Sequence, residues 1–268
     1  MRDSPPQIET VMDRILDAEH VEQAWDVFRQ WVAQHGFDRL FYAATRYRAN
    51  GPFGDIDDAQ ILTNYGDDYV ERYVGMGHFH NAPMAVWVVE NVGVLSWSEV
   101  GRMRESGMLS PKMLEVVTFN QKMGIAAGIT ISFPRSNERT RAGLALCGRP
   151  GLKQCEVDGI WEREGDVIHR VARLLHLKLS SLPQSVPGKL TPRQAEVLRW
   201  VGDGKSVADI AAILGVSTAT VDKHLRLARE ALNVATTAQA VMKLSLRNVM
   251  FLPDRQPQET AERQVGNS

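Results

Sequence analysis

The sequence predicts an α+β protein in two parts: an N-terminal α-β-α sandwich around an antiparallel sheet, then an all-α segment of four helices. Three observations carry that expectation. Two strand-like runs, Gly128–Phe133 (GITISF) and Ala142–Cys147 (AGLALC), flank the charged turn PRSNERTR, and helical periodicity lies on either side of them. The stretch SSLPQSVPG, from Ser180 to Gly188, breaks every period with two prolines and several serines. Beyond it only helical spacing recurs. At 268 residues and 44% hydrophobic content, the chain exceeds one typical domain of roughly 100 to 200 residues and can fill two cores. The expected division is 1–179, a linker at 180–188, a second domain at 189–252 and a disordered tail at 253–268.

Element by element, Met1 to Gln7 is polar, proline-bearing and expected to fray. Val11, Ile15, Val21, Ala24, Trp25, Phe28, Trp31 and Val32 recur at helical spacing, broken near Glu19 and His20, which predicts two amphipathic helices ended by Gly36. Phe37–Tyr47 (FDRLFYAATRY) and Gln60–Asn64 (QILTN) read as strands, with GPFGD a loop between them. Asp67–Val74 and Ala82–Asn91 read as short helices. Ser110 caps a further helix that opens on Pro111 and is closed by Gly124. Asp158–Leu179 carries one apolar stripe, Ile160, Val167, Ile168, Val171, Leu174, Leu175 and Leu179, along a long helix.

In the C-terminal segment, Thr191 and Pro192 open a first helix, Ser206 caps a second that stops at Gly215, and Ser217 caps a third that stops near Asn233. A fourth covers Thr237–Arg247. Two short helices joined by a glycine-containing turn form a helix-turn-helix. Between Pro187 and Leu252 nine basic residues face five acids, a charge of +4, which leaves 22 basic against 27 acidic residues, or −5, for the rest. The overall charge of −1 hides a positive C-terminal segment. The third helix turns Val221, Leu225, Ala228 and Leu232 inward. Its other face offers Thr218, Asp222, Lys223, Arg226 and Arg229, with Ser217, Thr218 and Thr220 at the end that would approach bases. Lys205, Ser206 and His224 are placed for phosphate contacts.

Across TPRQAEVL, the GKS turn, DIAAILGVS and TVDKHL, about 60 residues, this segment resembles the LuxR-type helix-turn-helix of quorum-sensing regulators and response regulators. The resemblance implies binding to a double-stranded DNA operator. Some relatives place a basic residue where this chain has Asp222, so base reading is expected to shift to Lys223 and Arg226.

The N-terminal region lacks the clustered acids and strand-helix alternation of a phosphorylated receiver. It instead resembles, over roughly Val21 to Leu179, the autoinducer-binding domain of LuxR-type receptors, through NYGDDYVERY, the Ala82-Pro83 step, Trp97 and MGIAAGITI. The resemblance implies a pocket for an acyl-homoserine lactone. Tyr65 would bond the acyl carbonyl, Tyr69 the lactone carbonyl, and Tyr73 and Trp97 would pack on chain and ring, with Pro83 and Gly128 completing the motif. Family members place an acid before the proline to accept the ligand's amide N–H; here Ala82 stands there. Losing that acceptor costs on the order of 1.5 to 3 kcal/mol, about ten- to hundredfold in affinity. Two readings stay open: the loop GHFHNAP brings Asn81, or His80, into the acceptor role, or the ligand has no amide there, as in an orphan receptor. Gly143, Ala145 and Cys147 alternate along one strand, either leaving room for a ligand or packing under a helix, and Cys147 is a weak donor with no redox signature.

Two cysteines make neither a disulfide framework nor a zinc site, and His78 and His80 lack a third ligand, so no metal is expected. No phosphate loop, G-x-S-x-G elbow or H-E-x-x-H occurs, which removes the enzyme readings that have residues to name. The N-terminus is no signal peptide, and no run of about 18 apolar residues follows, so a cytoplasmic protein without membrane contact is expected. No cofactor is expected, only a small-molecule effector, an acyl-homoserine lactone or an analogue. A homodimer is expected because paired half-sites double a small DNA contact. The competing reading is a regulator whose N-terminal domain binds a protein partner, or dimerises, without a ligand.

Overall fold

A computed structural model describes residues 8–45, 53, 58–135, 137, 138, 140–184 and 190–251. The expectations for Met1–Gln7, for the tail at 253–268, for most of GPFGD and for 185–188 of the linker lie outside the described residues. The chain divides into two compact units, Met1–Pro187 and Gly188–Ser268.

The first unit is built on a five-stranded, wholly antiparallel sheet of order β2-β1-β5-β4-β3. Its strands are β1 (Phe37–Thr45), β2 (Gln60–Thr63), β3 (Gly93–Ser96), β4 (Gly128–Ser132) and β5 (Arg141–Gly148). Against one face lie α1 (Ile8–Leu16), α2 (Val21–Gln34) and the long α7 (Gln154–Ser181). Against the other lie α3 (Asp67–Val70), α4 (Pro83–Glu90) and α6 (Pro111–Lys122), with α5 (Ser98–Glu105) following β3.

The alternation of side chains across a strand explains the layering. Leu40, Tyr42 and Ala44 of β1, Ile129 and Ile131 of β4, and Leu144 and Leu146 of β5 join Trp25, Phe28, Val171 and Leu175 in one core. At the start of β1 the ladder slips by one residue between Phe37 and Arg39. That bulge lets Phe37 and Leu40, three apart, both enter the helix-side core.

Helix termini follow the local chemistry. Ser110 Oγ accepts from Met113 N at 3.3 Å with Pro111 behind it, and Gly124 leaves the helix at φ +73°. Gln154 locks the head of α7 to the sheet, its Nε2 donating to Gly128 O at 3.1 Å and its Oε1 accepting from Gly128 N at 2.9 Å. The helix therefore begins before Asp158 and runs to Ser181. Leu182 is buried, and Gln184 Nε2 donates to Gln60 Oε1 at 2.8 Å, so the start of the expected linker packs on the first unit. Strand β3 and helix α5 have no counterpart in the sequence reading. The strand is four residues long, and α5 buries only Val100.

The second unit is all helical: α8 (Pro192–Gly202), α9 (Val207–Leu214), α10 (Thr218–Ala231) and α11 (Thr237–Leu246). Thr191 and Gln194 form a reciprocal capping box on α8, and Ser206 and Asp209 form another on α9. Gly215 takes the left-handed conformation, φ +63°, that turns α9 into α10. Lys243, counted above with the positive field, is buried, and its Nζ donates to Leu232 O at 3.0 Å, tying α11 to the end of α10. Arg247 is buried too. No helix among the described residues is long and apolar enough to cross a membrane.

A side chain at Gly128 would put its Cβ 2.5 Å from Leu146 O and 2.8 Å from the Trp97 ring. Gly128→Ala is expected to cost about 1 to 3 kcal/mol through overpacking, read as a lowered denaturant midpoint; an unchanged midpoint would show that the sheet and Trp97 part freely.

Candidate functional site

The cavity lies on the sheet face opposite α7. Phe41, Ala43 and Thr45 of β1 form one wall with Gly143 and Ala145 of β5, the alternate residues to those in the helix-side core. Met84, Ala85, Val88 and Val89 of α4 roof it, and Tyr65, Tyr69, Tyr73, Phe79, Trp97, Asn120, Ile125 and Thr130 close one end. Its volume is about 130 Å³, roughly ten times the ~10–15 Å³ that holds one water. An apolar cavity with a few polar groups matches the general character of small-molecule sites.

The aromatic wall forms as a ladder. Tyr65 and Tyr69 have ring centroids 4.7 Å apart, while Tyr69 stacks on Tyr73 at 5.1 Å and on Phe119 at 5.6 Å. Phe41 meets Tyr73 edge-on at 5.4 Å. The helical expectation for Asp67–Val74 holds only in its first turn. From Glu71 to Gly75 the chain widens into a π-turn, with Met76 N donating to Glu71 O at 3.1 Å.

Most polar groups in the cavity are already engaged. Tyr69 Oη donates to Asn120 Oδ1 at 3.2 Å, and Trp97 Nε1 donates to Thr130 Oγ1 at 2.8 Å. Tyr65 Oη and Thr45 Oγ1 are buried without a hydrogen bond of standard geometry; the Cys147 thiol beside Tyr65 is its weak polar neighbour. Burial pushes the Tyr65, Tyr69 and Tyr73 phenols up from their ordinary value, and likewise the Cys147 thiol. All four therefore stay neutral at physiological pH. No Asp or Glu lines the cavity among the described residues, and its one cationic lining group is Arg141. That guanidinium is held by backbone oxygens, Nε donating to Val89 O at 3.0 Å and Nη1 to Thr140 O at 2.7 Å.

Of the residues singled out in sequence, Tyr65, Tyr69, Tyr73 and Trp97 come together on the cavity wall; Asn81, Ala82, Pro83, Gly128 and Cys147 do not. Ala82 is fully buried beneath the tyrosine cluster, Asn81 ends a 3-10 turn, and Pro83 opens α4. Gly128 makes room for the Trp97 ring, and Cys147 Sγ points to Gly148 O at 3.5 Å. Gly143 lines the cavity and also lies under α4: a Cβ there would lie 2.9 Å from both Val88 methyls. His78 packs on Phe119 and His80 on Phe53, as aromatic neighbours.

Thr45, Asn120, Thr130 and Arg141 were missed. Asn120 follows Val116 by one helical turn and so stands on the buried stripe of α6, a signal present in the sequence. Arg141 reads as the end of a charged turn but is the first residue of β5.

In the second unit Val221, Leu225 and Ala228 are buried, while Ser217, Thr218, Asp222, Lys223 and Arg226 are exposed along one side of α10. Thr220 is half-buried, its Oγ1 2.9 Å from Ser217 Oγ. Arg226 Nη1 donates to Glu230 Oε1 at 2.6 Å, an exposed pair that dissociates cheaply. Lys205 is exposed, but Ser206 Oγ is occupied by its own cap, donating to Asp209 Oδ2 at 2.6 Å. Those bonds hold the Asp209 carboxyl below its usual value. His224 is half-buried with Nδ1 closed off and unpartnered, which leaves Nε2 as the nitrogen for any outside contact.

Comparison with known proteins accords with both units. Residues 20–179 match the autoinducer binding domain, and residues 188–244 match the luxR family of bacterial regulatory proteins. The transcriptional activator protein EchR of Dickeya chrysanthemi is 25% identical over 199 residues, 69% of this chain and 76% of its own. The quorum sensing-dependent transcriptional regulator RpaR of Rhodopseudomonas palustris is 24% identical over 220 residues, 81% and 84% of the two chains. A solved structure of SdiA in complex with octanoyl-rac-glycerol has a TM-score of 0.51 at 19% identity, covering 92% of this chain and 96% of that one. The chain belongs to the LuxR family: it is a ligand-responsive transcription regulator that joins an autoinducer-binding domain to a DNA-binding helix-turn-helix.

Proposed function

We propose that the cavity against β1 and β5 binds a neutral-headed acyl effector, and that its occupancy controls how α10 binds operator DNA. The observation that carries this reading is the buried, unpartnered Tyr65 hydroxyl facing a ligand-sized apolar cavity. An unmade buried hydrogen bond costs about 1 to 3 kcal/mol, which a carbonyl oxygen of the effector would recover. The domain division 1–179, 180–188 and 189–252 is part of the proposal, with 182–184 belonging to the sensing part.

The effector is an acyl-homoserine lactone or an analogue, and the site favours the analogue. A lactone presents an amide N–H, and the wall offers neither an anionic acceptor at Ala82 nor the Asn81 carboxamide. Asn120 Oδ1, an acceptor on the lining, already serves Tyr69. An acyl ester presents the carbonyl without that donor; octanoyl-rac-glycerol, bound in the SdiA structure, is of this class. The regulator acts in the cytoplasm as a homodimer on double-stranded DNA. Leu177 on α7 and Met242 on α11, both exposed, support those helices as contacts between copies.

Thermal shift with octanoylglycerol and octanoyl-homoserine lactone tests the cavity: the ester is expected to stabilise the protein more at equal concentration. Stabilisation by neither overturns the reading. Tyr65→Phe is expected to leave the free protein as stable or more so, while weakening effector binding about tenfold; a less stable free protein would make the hydroxyl structural. On DNA, Lys223→Ala or Arg226→Ala is expected to relax preference at one base position by about 1 to 3 kcal/mol. Lys205→Ala should weaken all sequences alike and flatten the salt dependence. Site selection combined with a salt titration separates the two behaviours, and identical behaviour of the three variants overturns the assignment.

A further inference from the structure

Among the described residues, three buried side-chain polar atoms lack a hydrogen-bond partner: Tyr65 Oη, Thr45 Oγ1 and His224 Nδ1. Two of their three residues line the same cavity. They are not neighbours. Tyr65 packs on Phe41 and lies beside Cys147, while Thr45 stands four residues beyond Phe41 on β1, a rise of about 13 Å from Phe41 at roughly 3.3 Å per residue. The residues of the two strands between them on this face, Ala43, Gly143 and Ala145, have no hydrogen-bonding side chain. Thr45 is only 9% exposed, so its hydroxyl cannot turn to bulk solvent.

A second polar element lies at the same end. Arg141 is the residue paired with Thr45 across β1 and β5, and it lines the cavity as well. Its bonds to Val89 O, Thr140 O and Glu138 O, at 2.7 to 3.0 Å, fix the guanidinium at that end of the cavity. The positive charge of Arg141 stands across from a threonine hydroxyl that can donate, so the complement to this end is an oxygen acceptor.

We propose that the effector is two-headed: an apolar chain with a head at Tyr65 and a second oxygen group, a carboxylate, carbonyl or hydroxyl, at its far end, received by Thr45 and Arg141. The inference rests on the proposed effector cavity and names the class of ligand that fills it. The strand rise of about 13 Å from Phe41 to Thr45 corresponds to roughly ten bonds of extended chain, given C–C bonds of about 1.52 Å set in zigzag.

The test compares three ten-carbon chains, plain decanoyl, 10-hydroxydecanoyl and the sebacic half-ester, each carried on glycerol and on homoserine lactone. The two heads keep a poor head from masking the tail. Binding is read on the full-length protein by calorimetry or thermal shift. At least one ω-oxygenated chain is expected to bind tenfold or more tightly than plain decanoyl on the same head. Thr45→Val and Arg141→Met are each expected to shrink that preference, read in each variant as the ratio of ω-oxygenated to plain decanoyl affinity on the same head. Plain decanoyl binding as tightly as both ω-oxygenated chains would overturn the two-headed ligand and leave the cavity reading intact. A preference that survives in both variants would overturn Thr45 and Arg141 as its receivers. Binding of no chain on either head would overturn the cavity reading and this inference with it. The comparison of chains on the unaltered protein decides the ligand class even if a variant fails to fold.

Discussion

The alternation of side chains across one antiparallel sheet is the constraint on which the sensing unit depends. A strand sends successive residues to opposite faces, so β1 gives Leu40, Tyr42 and Ala44 to the core under α2 and α7, and Phe41, Ala43 and Thr45 to the cavity. Strand β5 repeats the division with Leu144 and Leu146 against Gly143 and Ala145. A slip of one residue would exchange the two sets, filling the cavity with leucine and exposing alanine to the core. The bulge between Phe37 and Arg39 confines the irregularity to the first turn of the ladder, before the cavity begins.

On that scaffold the polar groups sort into those the protein satisfies and those it leaves open. Trp97 with Thr130, Tyr69 with Asn120, and Ser132 Oγ donating to Asn91 O at 2.6 Å are closed pairs that fix geometry. The Tyr65 and Thr45 hydroxyls are open, and open buried groups cost stability in the free protein. Retaining them makes sense where a bound molecule completes them. Neutral phenols and thiol, with Arg141 as the only cation in the lining among the described residues, set the electrostatic character of that molecule.

Much of the architecture was legible because it rests on local chemistry. The caps at Ser110, Thr191, Ser206 and Ser217 and the stops at Gly124 and Gly215 are short-range signals, and their helices appear where those residues place them. Strand β3 was not legible, since four residues at a sheet edge carry little periodicity. The tyrosine spacing pointed to the cavity, while Ala82 and Cys147 pack in the cluster with those tyrosines and Gly128 against Trp97. Thr45 and Arg141 were invisible for a different reason. Beside Arg46 or inside PRSNERTR nothing local sets them apart from solvent-facing residues, and only the pairing of β1 with β5 brings them together.

The π-turn at Glu71–Gly75 bears on how this wall tolerates change in length. Such a turn holds one residue more than the regular helix, so it is a phase adjuster between Tyr69 and everything downstream. Removing a single residue there is absorbed by closing the π-turn to a regular one, whereas removing one from the regular turn at Asp67–Val70 would swing the following chain by about 100° about the helix axis, the step of one residue at 3.6 per turn. The His78–Asn81 turn and the Pro83 start of α4 would rotate with it, away from the sheet they roof. Most surface segments absorb a deletion in a loop; here the spare residue sits inside the helix that carries the wall.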